Sequence, residues 1–285
     1  MGEAFAILVT VVVVLAALVL LVYTIFFISG KIIESAWMMA FNKPMYIHFY
    51  PFPKELGTYE HELLENKFSF YRNLSDKHKK YFRHRVHCFI RKYDFYGRED
   101  FLVTPDVRIK IAATWVMLTF GMRRYLTTIF KAIILYPDIF ESANGNMHKG
   151  EFNPRAGVVV FSWKHFLEGM EFSSDNLNLG LHEFAHVLHF DSISQQRRGA
   201  SAVIYTDTFD KIINYLSDEQ NRRELKEVNY LRDYAYTNQH EFIAVVLEYF
   251  FETPHEFRQK VPVLYYMVAD MINYRPIAEE AKRIN

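Results

Sequence analysis

The stretch LGLHEFAHVLHFD, residues 179–191, sets two histidines four residues apart, with a glutamate directly after the first, in a run that is otherwise mostly apolar. On an α-helix, residues i and i+4 lie one above the other. His182 and His186 therefore aim two imidazoles at one point, and Glu183 stands about 100° round the helix beside it. Zinc suits this arrangement, because it accepts neutral imidazole at about 2.0–2.1 Å and keeps a position for water in catalytic sites. Glu183 is placed to take that water's proton during attack on a carbonyl. The pattern arises by chance in about one chain in a hundred of this length, so its surroundings decide. Leu181, Phe184, Ala185, Val187 and Leu188 make the helix too apolar for a surface pair of histidines, and burying an unpaired pair is costly. His189 reads as a packed or exposed residue and stays outside the metal shell.

A catalytic zinc needs a third protein ligand, and the stretch NQHEFIAVVLEYFFETP, residues 238–254, offers two carboxylates seven apart on one helix face. In so apolar a helix they must be paired or metal-bound. Glu241 is the expected ligand and Glu248 the acceptor for a histidine ring N–H; the competing reading is an ion pair with Arg232 or Arg155. His240 points to another face. Tyr234, seven residues before Glu241, fits an oxyanion donor or one packed tyrosine among 19, and spacing leaves the two readings even.

Outward from these motifs, the 285 residues are 51% hydrophobic, enough for a core of ordinary size in one globular domain. Lysine plus arginine equal aspartate plus glutamate at 33 each, which removes any global electrostatic reason for a nucleic-acid partner. Cys88 is the single cysteine, so no internal disulfide and no thiolate metal cluster is possible.

Residues 4–29 carry no charge and are long enough to span a bilayer. A cleaved signal peptide would need a positive n-region, a shorter apolar core and a small-residue cleavage site. None is present, so residues 1–30 read as an uncleaved anchor. Lys31 and Lys43 on its C-terminal side, against Glu3 on the other, put the domain in the cytoplasm.

A proline-containing linker over 31–55 leads to a domain over 56–285. Within it a helix or helix pair is expected over 60–92. Its basic, aromatic run KHKKYFRHR (77–85) could touch anionic lipid but reads as a solvated helix face. Thr104 and Pro105 start a further helix to about Leu118. Strands are expected at 131–140 and 157–163, and helices at 175–190, 200–217, 239–252 and 255–273. Helices, a small sheet, then helices make an α+β class.

Several blocks in this order resemble the Mlc titration factor A family, also called the DgsA anti-repressor family, of zinc-dependent peptidases. They are GREDFLVTPDVRIKIAATWVMLTFGM (97–122), AIILYPDIF (132–140), VVVFSW (158–163), LNLGLHEFAHVLHFD (177–191) and YAYTNQHEFIAVVLEYFFETP (234–254). The resemblance implies a zincin fold of gluzincin type, one zinc ion per chain held by His182, His186 and Glu241, Glu183 as general base and Tyr234 as oxyanion stabiliser. It also implies cleavage of small peptides, as an aminopeptidase, and a glucose-responsive transcriptional repressor as partner in some bacteria. The soluble members lack the apolar span, which restricts any such partner to what reaches the membrane.

The expectation is thus a zinc peptidase tied by a single pass to the bacterial inner membrane and facing the cytoplasm, taking a peptide or protein substrate along GVVVFSW as an edge strand. The rival is a zinc-containing protein that sequesters a regulator at the membrane; it would have no use for a base at Glu183.

Overall fold

With no charged side chain between Glu3 and Lys31, nothing interrupts an apolar helix at the N-terminus, and α1 runs from Gly2 to Phe41 with no buried residue. At 1.5 Å per residue its 40 residues measure about 60 Å, long and apolar enough to cross a membrane. The segment read as a linker from residue 31 is therefore helical as far as Phe41. The computed structural model describes residues 2–142, 145–171, 176–194 and 199–275. The chain forms two units, Met1–Tyr46, which contains α1, and Ile47–Asn285.

In the second unit the helical pattern of 60–92 is broken into α2 (Thr58–Lys67), α3 (Ser69–Arg72) and α4 (Asp76–Lys92). Phe68 takes an extended backbone between α2 and α3, and the Ser75 hydroxyl accepts from the His78 N–H to start α4. The basic run on α4 is not a uniformly solvated face. Arg85 is fully buried, donating to the carbonyls of Thr119, Phe120 and Met122 and to the Tyr50 hydroxyl. Its planar fork satisfies carbonyls that the end of the next long helix leaves without partners.

After β1 (Asp94–Gly97) comes that helix, α5 (Pro105–Leu118), capped by the Thr104 hydroxyl with Pro105 in its first turn. The residues read as one strand over 131–140 divide into β2 (Ala132–Tyr136) and β3 (Phe140–Glu141); β3 pairs with β4 (Met147–His148) as a separate ribbon. Then follow β5 (Gly150–Asn153) and β6 (Val158–Ser162).

The main sheet has the order β1-β2-β6-β5, with the first three strands parallel and β5 antiparallel to β6. GVVVFSW is therefore not an edge strand: β6 lies between β2 and β5, and its residues from Val158 to Phe161 are apolar because a central strand is covered on both faces. The edges are β1 and β5, the latter shown by the sequence only as part of a Gly- and Asn-rich loop.

The remaining elements are α6 (Trp163–Glu171), α7 (Leu179–Ser194), α8 (Ala200–Ser217), α9 (Glu219–Glu227), a 3₁₀ turn at Asp233–Tyr236, α10 (Gln239–Glu252), α11 (Pro254–Lys260) and α12 (Pro262–Met271). Pro262 starts α12 and splits the helix read over 255–273. Residue 175, where the helix of the histidine pair was expected to begin, and residues 276–285 of the expected domain lie outside the described residues.

The unit is mostly helical with a small sheet, an α+β arrangement. Phe184 fixes α7 between the layers: its ring is 5.3 Å from Phe161 on β6 and 5.3 Å from Trp115 on α5. The opposite side of α7 packs along α10, whose residues from Phe242 to Phe250 are all buried.

Candidate metal centre

Two asparagines set the helices that carry the site. The Asn178 side chain accepts from the Leu181 N–H at the start of α7, and Asn238 accepts from the N–H groups of His240 and Glu241 at the start of α10. The second cap puts Glu241 in the first turn of α10, facing α7.

The Glu241 Oε2 lies 3.1 Å from His182 Nε2 and 3.5 Å from His186 Nε2, and the two Nε2 atoms are 3.2 Å apart. Donors held by one tetrahedral ion at about 2.0–2.1 Å stand about 3.3–3.4 Å from one another. Buried Glu241 Oε2 faces both ring nitrogens, an arrangement that is costly unless a proton or a cation is shared there. Two imidazole nitrogens and a carboxylate oxygen with this spacing therefore fit a small divalent ion.

Glu248, 1% exposed at its side chain, orients the first histidine. Its Oε1 accepts from His182 Nδ1 at 2.8 Å and from Arg232 Nη2 at 2.6 Å, while Oε2 accepts from the Asn178 N–H at 2.8 Å. Both readings made of this carboxylate thus hold together: it meets the ring N–H and it pairs with Arg232. With the Nδ1 proton engaged, Nε2 is the nitrogen left for a metal. Burial pulls the His182 pKa down, but the carboxylates of Glu241 and Glu248 outweigh it and push it up to about 10. A cation at Nε2 takes the place of that proton, so binding releases it.

Glu183 is buried beside the pair, and burial pushes its carboxyl pKa up against the downward pull of His182 and His186. It lines a cleft of about 430 Å³ together with His182, Tyr234, Arg232 and Gly150 of the edge strand. Tyr234, on the 3₁₀ turn, is 49% exposed, with its ring centroid 6.0 Å from that of His182. Its phenol pKa is raised, first by partial burial and then by Glu241.

His189 is a packed residue: it is 3% exposed, its Nδ1 lies 3.2 Å from the Tyr205 hydroxyl and its ring is 4.9 Å from exposed His240. Neither histidine is in the cluster.

Sequence reading missed Asn178 and Gly150 and met Arg232 only as an ion-pair partner. Asn178 carries a signal, a capping residue three before Leu181. The others act through contacts between segments far apart in the chain.

A 151-residue stretch is 28% identical to an uncharacterized protein, slr2042, of Synechocystis sp. (strain ATCC 27184 / PCC 6803 / Kazusa), and covers 48% of this chain and 54% of that protein. The chain thus spans about half the length of that curated relative. The model of one family, the glucose-regulated metallo-peptidases M90, which includes the Mlc titration factor, matches residues 46–273, the whole of the sheet and of both helices that carry the cluster. On that match the chain belongs to the glucose-regulated metallo-peptidase M90 family.

Proposed function

We propose that this protein is a zinc-dependent peptidase of gluzincin type, anchored by α1 and facing the cytoplasm. The observation that carries the reading is the convergence of His182, His186 and Glu241 on one point with the buried carboxylate of Glu183 beside it. Bound there, zinc supplies Lewis acidity to the scissile carbonyl and the attacking water.

The protein's own groups do the rest. An extended peptide pairs with the free side of β5, the edge of the sheet next to Glu183. Glu183 takes the proton of the attacking water and hands it to the leaving amine. Tyr234, exposed at the cleft, donates its phenolic hydrogen to the developing oxyanion. Glu248 keeps the His182 ring turned toward the ion. Peptides, with release of N-terminal residues, are the substrate class, and a regulator protein is a partner only if it reaches the membrane.

The test compares the full-length protein with Glu183→Gln for metal content and for hydrolysis of fluorogenic peptides and aminoacyl compounds. One zinc per chain in both, with turnover only in the wild type, is the expected result. Zinc without turnover in either sinks the peptidase reading in favour of a binding protein.

A further inference from the structure

Five of the basic residues of α4 form one stripe. Lys77, Lys80, His84, His87 and Arg91 follow one another at spacings of three and four, so they share a helix face, opposite the buried Phe82, Arg85, Val86 and Phe89. Lys77, Lys80 and Arg91 are exposed.

Beside this stripe lies the first segment of the second unit. The Tyr50 ring lies tilted 4.2 Å from that of His84, the Lys54 N–H donates to His84 Nδ1 at 2.9 Å, and Glu55 pairs with Arg83 at 2.7 Å. Phe49 and Phe52 are carried outward on the same segment, 73% and 85% exposed. Two largely exposed rings next to exposed Lys77, Lys80 and Arg91 match an anionic lipid surface, where apolar rings enter the headgroup boundary and ammonium and guanidinium groups meet phosphates.

Chain connectivity supports the same occupant. Phe49 follows the last residue of α1 by eight residues, a reach of about 27 Å at most. The apolar stretch ends at residue 29, twenty residues before Phe49, so if α1 spans a bilayer the segment 47–55 is the first part of the second unit to follow it in the chain.

We infer that Phe49, Phe52 and the Lys77–Lys80–Arg91 stripe dock on the anionic face of the membrane that α1 enters. The inference rests on the reading of α1 as a span and is independent of the peptidase chemistry. A nucleic acid fits less well, because the chain's positive and negative charges balance.

The test uses the full chain in lipid discs of phosphatidylcholine alone or with about 30% phosphatidylglycerol, read by hydrogen exchange of residues 47–55 and 77–91. Exchange in 47–55 should slow by at least about fivefold in the anionic discs, the effect of one cationic contact with such a surface. High salt and either Lys77→Gln with Lys80→Gln or Phe49→Ser with Phe52→Ser should abolish the difference, while thermal unfolding stays as in the wild type. Equal exchange in both discs overturns the docking and leaves the face to another protein or a nucleic acid. A chain that enters neither disc overturns the anchor and the docking together.

Discussion

A Cβ placed on Gly150 would stand 2.8 Å from Oε1 of Glu183 and 2.7 Å from its Cγ. The edge strand and the buried carboxylate are therefore in direct contact through a residue with no side chain, and the position of one sets the position of the other. Contacts below 3 Å are not sustained, so Gly150→Ala must displace Glu183. A shift of about 1 Å in a reacting group costs on the order of a hundredfold in rate. Gly150→Ala should thus lose turnover by that order and keep its metal, because the atoms nearest the added Cβ belong to Glu183 and Leu179. Peptide hydrolysis and metal analysis on one preparation check this; an unchanged rate would mean that Glu183 is held from elsewhere.

Glu248 meets both His182 and Arg232, and its two roles can be separated. Glu248→Gln keeps the shape but removes the charge that favours the Nδ1–H of His182 and the guanidinium. Loss of such an outer carboxylate lowers metal affinity by about 10- to 100-fold. Chelator competition for zinc, with circular dichroism as the folding control, measures this. Wild-type affinity in the variant would reduce Glu248 to an ion-pair partner of Arg232.

His48 predicts how stability responds to acid. Burial, and then the nearby cations Arg85, His78 and Lys77, lower its pKa from 6.5 to about 2. Tyr50 and Tyr81 are the other polar side chains whose rings approach it. In the unfolded chain this imidazole takes a proton near pH 6.5; in the folded chain it does not until about pH 2. The unfolded state binds more protons in that window, so the contribution to stability is lost as pH falls below 6.5, by up to about 1.4 kcal/mol per pH unit. His48→Gln should flatten that dependence between pH 6.5 and 5 in denaturant titrations of the full-length protein in detergent. A variant with the slope of the wild type would rule His48 out as its source.

The contrast between what the sequence carried and what it hid follows the range of the interactions. His182, His186, Glu241 and Glu248 were legible because spacings of four and seven become adjacency on a helix, whatever surrounds it. Thr104 with Pro105 marked the start of α5 by local capping alone. Strand order is set by pairings between distant segments, so the apolar run of GVVVFSW speaks for a strand covered on both faces but does not name the strands that flank it. The same holds for Arg85, which in KHKKYFRHR looks like its exposed neighbours and differs only in facing the carbonyls that follow α5. Gly150 and Arg232 draw their importance from partners far away in the chain.

The separation of the parts of the site along the chain has a consequence for biosynthesis. His182 and the carboxylate that orients it are 66 residues apart, and Glu241 lies on the same late helix as that carboxylate. A chain still being made on the ribosome presents the histidine pair and Glu183 well before either partner has emerged. During that interval it holds two imidazoles and no complete cluster. A protein-cutting activity that needs all three donors would therefore stay silent until α10 has been synthesised and has closed on α7, which protects the nascent chain and its neighbours from a hydrolase made before its own fold is finished.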